Sequence, residues 1–289
     1  MDLKETVNKK YSEAGGVVMT RKAAQGLMLR DLLGDGTDPV AVFLLAPGQE
    51  KGAFAAFEPV RSHRYCQALM KARHGESVLL EPAGLSCPAA AAAFGFRPLP
   101  PQLANGKGLM GFGIVADEAV GKRMFAGMPR LAEASISSIA LCPLRLAPRI
   151  PDVVVVEGLS EVLMWLLLAD LNVQGGERRI GDTAVLQATC VDATVIPYLK
   201  QRLNFSLGCY GCREATDLTP GETVLGFPGT LLEPLLGALE MLRSKAISRS
   251  RAKLAHECLV GAQAETTGSG ASTQENHNGS KGYGQAEIP

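Results

Sequence analysis

Two stretches of this chain follow the same order of predicted elements. Each begins with a strand apolar enough to be buried, PVAVFLL at residues 39–45 and PDVVVVEG at residues 151–158. Each continues with a cysteine that opens a helical stretch, then a short strand, then a second cysteine at the start of a segment of small residues. Strands alternating with helices over two such units predict an α/β fold, in which a mixed sheet is flanked by helices and the units are related by an internal pseudo-twofold duplication.

Changes in composition divide the chain into five parts. We expect the two α/β units to form one compact domain. The parts are a helical lead-in at residues 1–38, the first unit at 39–150, the second unit at 151–243, a basic extension at 244–260 and a tail at 261–289. The tail is rich in Gly, Ser, Thr, Asn and Gln and has no apolar period, so it is predicted to be disordered.

One motif inside the first unit is given little weight. Residues 106–111 spell G-x-G-x-x-G, but a dinucleotide-binding turn follows a strand and opens a helix. Here the motif follows a proline-rich segment and leads into GLMGFGIV at residues 108–115, which is predicted to be a strand. We therefore interpret the motif as a loop.

Charge and hydropathy narrow the classes of partner. Lys plus Arg and Asp plus Glu number 29 each, so no net field attracts nucleic acid or an anionic membrane. The N-terminus MDLKETVNKK lacks a secretory signal, and the longest strongly apolar run, residues 162–169, is far shorter than the ~20 residues that cross a bilayer. We expect a cytoplasmic protein, whose seven cysteines are thiols or metal ligands rather than disulfides.

Four cysteines form two matching pairs and are the candidate ligands. Cys66 and Cys87 are 21 residues apart in the first unit, and Cys190 and Cys209 are 19 apart in the second. Thiolates suit the irons of an iron–sulfur cluster, and four of them are the usual set for a [4Fe–4S] or [2Fe–2S] centre. Because this spacing differs from that of ferredoxins, the fold itself must bring the four together. Predicted helix starts at Cys87 and Cys209 would lower the pKa of both thiols.

Other interpretations of the same cysteines stay open. Cys209-Tyr210-Gly211-Cys212 is a C-x-x-C motif, which also indicates a cofactor-free thiol or persulfide redox enzyme, with Arg213 orienting an anionic substrate. A non-catalytic module that delivers a ligand is a third candidate. Cys66 and Cys190 also suit small buried apolar positions in helices. The expected partner is a redox protein or a small-molecule substrate. Whether the protein forms a homo-oligomer is left open.

Long motifs carry a resemblance to a known family. They are RYCQALMKAR at 64–73, LSCPAAAAAFGF at 85–96, PDVVVVEG at 151–158, CVDATVIPYL at 190–199 and NFSLGCYGCREATDL at 204–218. With them the chain resembles domain of unknown function 169, also labelled ArCR, over roughly residues 39–243. The resemblance implies a family widespread in archaea and anaerobic bacteria. The cysteines that match the family's motifs are Cys66, Cys87, Cys190 and Cys209. The resemblance implies that Cys212 is less constrained. It implies no established activity.

Overall fold

A seven-stranded sheet forms the centre of the protein in the computed structural model, which describes residues 21–34, 37–49 and 52–245. The strands are β1 (Val40–Leu45), β2 (Glu58–Val60), β3 (Val78–Leu80), β4 (Ser138–Pro143), β5 (Val153–Leu159), β6 (Asn204–Ser206) and β7 (Glu222–Pro228). They lie in the order β2-β3-β4-β1-β5-β7-β6, with β2 and β3 parallel and each other neighbouring pair antiparallel. The predicted mixed sheet is confirmed.

Helices cover both faces of this sheet, so the predicted α/β class is confirmed. They are α1 (Arg21–Leu33), α2 (Tyr65–Arg73), α3 (Pro88–Ala93), α4 (Pro101–Ala104), α5 (Lys107–Gly111), α6 (Glu118–Ala126), α7 (Ser160–Val173), a π-helix (Ala188–Val195), α8 (Ile196–Lys200), α9 (Tyr210–Ala215) and α10 (Leu232–Lys245). Short 3-10 turns occur at Gly52–Phe54, Leu144–Leu146 and Gly229–Leu231. Among the helices of the described residues, none combines the length and apolarity that a bilayer crossing requires.

The strand order is symmetric about the central pair formed by β1 and β5. If β2 is left aside, each unit places its first strand at the centre, its last strand next and its short middle strand outermost. Val40 lies opposite Val155, and Val42 lies opposite Val153, in the antiparallel pair where the two units meet. A pseudo-twofold duplication would produce this order; the duplication itself stays a prediction.

Alternation along the buried strands divides the core into two layers. In β1, Val40, Val42 and Leu44 belong to the layer under α2, α3, α9 and the π-helix. Ala41, Phe43 and Leu45 belong to the opposite layer, under α1, α7 and α10. Burying such an aliphatic or aromatic side chain stabilises the fold by about 1.5–3 kcal/mol. Because β1 is buried on both faces, it is a continuous apolar run in the sequence.

The strand predicted at residues 108–115 is wrong, and so is the loop predicted for the motif at residues 106–111. The first part of that stretch is helix α5, whose N-cap Gly106 has a φ of 85° and packs directly against Gly121 of α6. Such a φ and such a close backbone approach suit glycine alone. Helices α4, α5 and α6 therefore form a small helical layer, which we call the cover. Its apolar side chains pack toward the core layer that lies under α2, α3, α9 and the π-helix.

Several sequence predictions concern the ends of the chain. The described part of the predicted helical lead-in contains helix α1. The predicted disordered tail and all but the first residues of the basic extension lie outside the described residues.

Candidate functional site

Five cysteine side chains line one cavity of about 530 Å³ on the α2 side of the sheet. They are Cys66, Cys87, Cys190, Cys209 and Cys212. Of the cysteines in the described residues, the remaining one, Cys142, is buried in the opposite layer of the core. The structure thus brings the four predicted ligands together from both units and adds Cys212 to them.

Helix termini and an unusual helix position these thiols. Cys87 is the N-cap of α3 and Cys209 the N-cap of α9, while Cys66 lies in the first turn of α2. Cys190 is the third residue of the π-helix, whereas the sequence predicted that it opens a helix. π-Helical turns are rare and often occur at functional sites. The residue that precedes this helix, Gln187, lines the cavity and holds a left-handed φ of 58°, a conformation that costs energy for a residue with a Cβ.

The thiols of the second unit contact one another directly. Cys209 Sγ lies 2.9 Å from Cys212 Sγ, and the backbone N–H of Cys212 donates to Cys209 Sγ at 3.2 Å. Cys212 Sγ also lies 3.2 Å from Thr189 Oγ1. Cys190 Sγ donates to the carbonyl of Gln187 at 3.6 Å. These contacts hold Cys209 and Cys212 in one orientation with respect to the cavity.

Burial and the neighbouring thiols raise the pKa of three of these cysteines, Cys190, Cys209 and Cys212. Burial first, and then the neighbouring Cys87, Cys212 and Cys209, raise the pKa of Cys190 well above its ordinary value. The hydrogen bond to Cys212 and burial raise the pKa of Cys209 strongly. For Cys212, a hydrogen bond from Cys209 lowers the pKa, but the hydrogen bond to Cys66 and burial outweigh it and bring the value to about 12.

The prediction that a helix start lowers the pKa of Cys209 is therefore wrong. The backbone N–H of Cys212 at the start of α9 does lower this pKa, but the hydrogen bond to the Cys212 thiol and then burial outweigh it. A bound metal would reverse this, because its positive charge deprotonates a coordinating thiol. In the described part of the chain, no group of three or more His, Cys, Asp or Glu side chains is placed so that it could hold a metal ion. The five thiols instead surround the cavity.

Arg213 does not face the cavity. Its Nη1 donates to the Thr219 carbonyl at 2.5 Å, and its Nη2 donates to the carbonyls of Leu207 at 2.6 Å and Glu222 at 2.8 Å. The guanidinium thus ties together the loops around α9, where its donors are used by backbone oxygens. Arg213 is not among the residues that line the cavity, and the role of orienting an anionic substrate, which its position after the C-x-x-C motif suggested, stays a prediction.

The sequence reasoning missed several residues of the cavity. Tyr65 directly precedes Cys66, Thr189 directly precedes Cys190, and both line the cavity. Tyr65 Oη lies 2.9 Å from Thr194 Oγ1 in the π-helix, which links the two cysteine-bearing helices. Arg64 lies at the exposed rim and donates from Nη1 to the Gly211 carbonyl at 3.0 Å. Tyr65 and Thr189 occupy equivalent positions, each directly before the first cysteine of its unit. This equivalence was the signal that could have identified them.

Fold and cavity together define an α/β protein with a mixed sheet and a thiol-lined, largely apolar cavity. The chain belongs to the family DUF169, uncharacterised ArCR, whose model matches residues 28–238 and confirms the family resemblance. That range contains all five cavity cysteines. The chain is 31% identical over 182 residues to an uncharacterised protein of Methanocaldococcus jannaschii, in a match that covers 62% of this chain and 77% of the relative. No solved structure matches this chain significantly.

Proposed function

We propose that the protein binds an iron–sulfur cluster, most simply [4Fe–4S], in the thiol-lined cavity and uses it in a redox or substrate-activation role. The ligands are Cys66, Cys87, Cys190 and Cys209. The observation that carries the proposal is the convergence of thiols from two distant halves of the chain on one cavity. The proposal includes a cytoplasmic location, where thiols stay reduced.

The donor set suits such a group. Four of the thiols come in pairs from the two units, and soft sulfur donors are the ligands that iron–sulfur clusters use. A cluster spreads its ligands over several irons, so it needs sulfurs around a cavity rather than around a single point. When bound, it supplies electrons or, at an iron with an open position, polarises a substrate.

The chain's own groups would tune that chemistry. The backbone N–H of Cys212 already donates to Cys209 Sγ, and the Thr189 hydroxyl is within hydrogen-bonding distance of Cys212 Sγ. Hydrogen bonds to the sulfurs and the exclusion of solvent are two of the factors that set the potential of an iron–sulfur centre. The apolar side chains around the cavity reduce the access of water to the thiols.

Anaerobic purification and reconstitution with iron and sulfide test the proposal. We expect bound iron, acid-labile sulfide and absorbance near 400 nm, an expected band for such clusters. Cys87→Ala and Cys190→Ala, one from each unit, should each lose at least about half of the iron, because a ligand is removed. Cys142→Ala is the matched control, since Cys142 is buried like Cys190 but lies on the other face of the sheet. A reconstituted protein that stays colourless would overturn the proposal.

A second candidate is favoured by the 2.9 Å contact between Cys209 Sγ and Cys212 Sγ. In this reading the two thiols form a disulfide in a metal-free protein, releasing two protons and passing two electrons to an oxidant such as a disulfide substrate. Differential alkylation of metal-free protein tests it. Reversible loss of two thiols at Cys209 and Cys212 would support it, and equal loss at all five cavity cysteines would contradict it.

The ligand-delivery role stays a third proposal, tested on the same material. Incubation of the iron-loaded protein with a metal-free acceptor protein distinguishes it. Transfer of iron and sulfide in amounts that match the loss from this chain is expected for a delivery module, and retention is expected for a resident cofactor.

A further inference from the structure

The wall of the cavity made by the cover is apolar. Leu103, Leu109, Phe112, Ile114 and Phe125 line the cavity from residues 101–126. Leu186, just before the π-helix, extends the same wall. Gly106 at the start of α5 packs directly against Gly121 of α6, and this contact holds these two helices of the cover together.

We propose that the cavity binds a small, uncharged, mainly apolar molecule between this wall and the thiols. Any reaction of this molecule rests on the proposed function, since the molecule would lie beside the thiol-bound group. Binding itself depends on the apolar wall. The volume of about 530 Å³ falls within the range of pockets that take small organic ligands.

The charges around the cavity decide against an ionic ligand. Apart from the thiols and the phenols of Tyr65 and Tyr210, the ionisable side chains among its lining residues are Arg64 and Glu214, and both are exposed. Arg64 already donates to the Gly211 carbonyl. Arg213 is occupied by three carbonyls outside the cavity. A carboxylate or phosphate deep in the cavity would lose its hydration while the lining cation, Arg64, stays at the exposed rim, which is costly.

Two exposed aromatic side chains belong to the lining. Phe112 is 77% exposed at the end of α5, and Tyr210 is 64% exposed at the start of α9. Large apolar side chains are normally covered to a greater degree, and rings at the lining of a cavity offer apolar contact area to an entering ligand. Because Phe112 is exposed, it can be changed with little effect on the core.

A fluorescence titration of the full chain with N-phenyl-1-naphthylamine, an uncharged apolar probe, tests the inference. We expect saturable binding, and binding about tenfold weaker for anionic 1-anilinonaphthalene-8-sulfonate, because the lining cation, Arg64, lies at the exposed rim and donates to the Gly211 carbonyl. Phe112→Glu should weaken binding of the uncharged probe about tenfold by placing a charge on the apolar wall. Ile180→Glu is the matched control, since Ile180 is 80% exposed and is not among the lining residues.

Iron content, measured on the same samples, separates this inference from the proposed function. Probe binding that Phe112→Glu weakens, in protein that takes up no iron, would support the ligand site and overturn the cluster. Iron uptake without saturable probe binding would overturn the ligand site alone. Equal weakening by Phe112→Glu and Ile180→Glu, or equal affinity for the two probes, would also overturn it.

Discussion

Cys209 Sγ and Cys212 Sγ lie 2.9 Å apart, at the N-cap and in the first turn of the same short helix. The first unit has no such pair, because Ala90 stands three residues after its N-cap cysteine, Cys87, and also lines the cavity. The two units therefore present matching pairs of thiols plus one additional sulfur. That extra sulfur is close enough to Cys209 to take its place.

This proximity predicts ligand exchange. Cys209→Ala should retain about half of the wild-type iron, because Cys212 can serve as the fourth ligand, whereas Cys209→Ala/Cys212→Ala should retain less than about one tenth. Iron and sulfide analysis after anaerobic reconstitution measures both. Cys142→Ala should stay at the wild-type level. Identical iron content in the single and double variants would show that Cys212 does not substitute.

A buried ion cluster on α2 is expected to be important for stability. Arg73 Nη1 lies 3.5 Å from Glu157 Oε2, and Arg73 Nη2 is paired with Glu222, with all three side chains largely buried. Removing the cation leaves buried carboxylates unpaired, so Arg73→Met should lower the free energy of unfolding by about 3–5 kcal/mol. Urea denaturation measures it. Lys71→Met on the same helix breaks the partly exposed pair with Glu76 and should cost less than about 1 kcal/mol. Similar losses in both variants would contradict the prediction.

The buried carboxyl of Asp192 predicts a dependence of stability on pH. Burial raises its pKa from 3.8 to about 7, despite hydrogen bonds from Thr183 and Ser206 that lower it. The folded state therefore binds the proton more tightly than the unfolded chain. This contribution to stability is complete below the unfolded pKa of 3.8 and is lost as the pH rises through about 7.

Asp192→Asn tests this dependence, because asparagine does not titrate. Urea denaturation at several pH values between about 4 and 8 should show a shallower decline in the free energy of unfolding for the variant than for the wild type. Glu157→Gln provides a parallel case, since burial also raises the pKa of Glu157 to about 7. An Asp192→Asn protein with the wild-type slope would contradict the assignment.

Close packing of β7 against the π-helix predicts a steric effect on the site. A methyl group at Gly226 would lie 2.6 Å from the carbonyl carbon of Ala193, so Gly226→Ala must displace the helix that carries Cys190. We expect a loss of about 1–3 kcal/mol in stability and reduced iron uptake. Gly237→Ala on α10 is the control: it meets no atom within 4 Å and should stabilise the protein by about 0.5–1 kcal/mol. Unchanged stability and iron content in Gly226→Ala would contradict the prediction.

Much of the framework could be predicted from the sequence, because its signals are local. The run of apolar residues at 39–45 gives β1, and that at 151–158 gives most of β5, because strands buried on both faces need continuous apolar sequence. Helix α3 begins at Pro88, as the proline after Cys87 predicted. Four of the five cavity cysteines were identified as a set because their spacing is repeated in the two units.

Tertiary packing decided what the local patterns left undetermined. Residues 108–115 combine glycine with apolar side chains, a composition that suits a strand as well as the helical cover. The contact between Gly106 and Gly121, together with the burial of Leu109, favours the helical cover. The Arg213 guanidinium donates hydrogen bonds to backbone carbonyls that the fold brings near it. The high pKa of Cys209 depends on burial and on the neighbouring Cys212 thiol, whereas the sequence revealed only the start of a helix. Desolvation and long-range contact arise only when distant segments meet, so they follow from the folded arrangement and not from residue order.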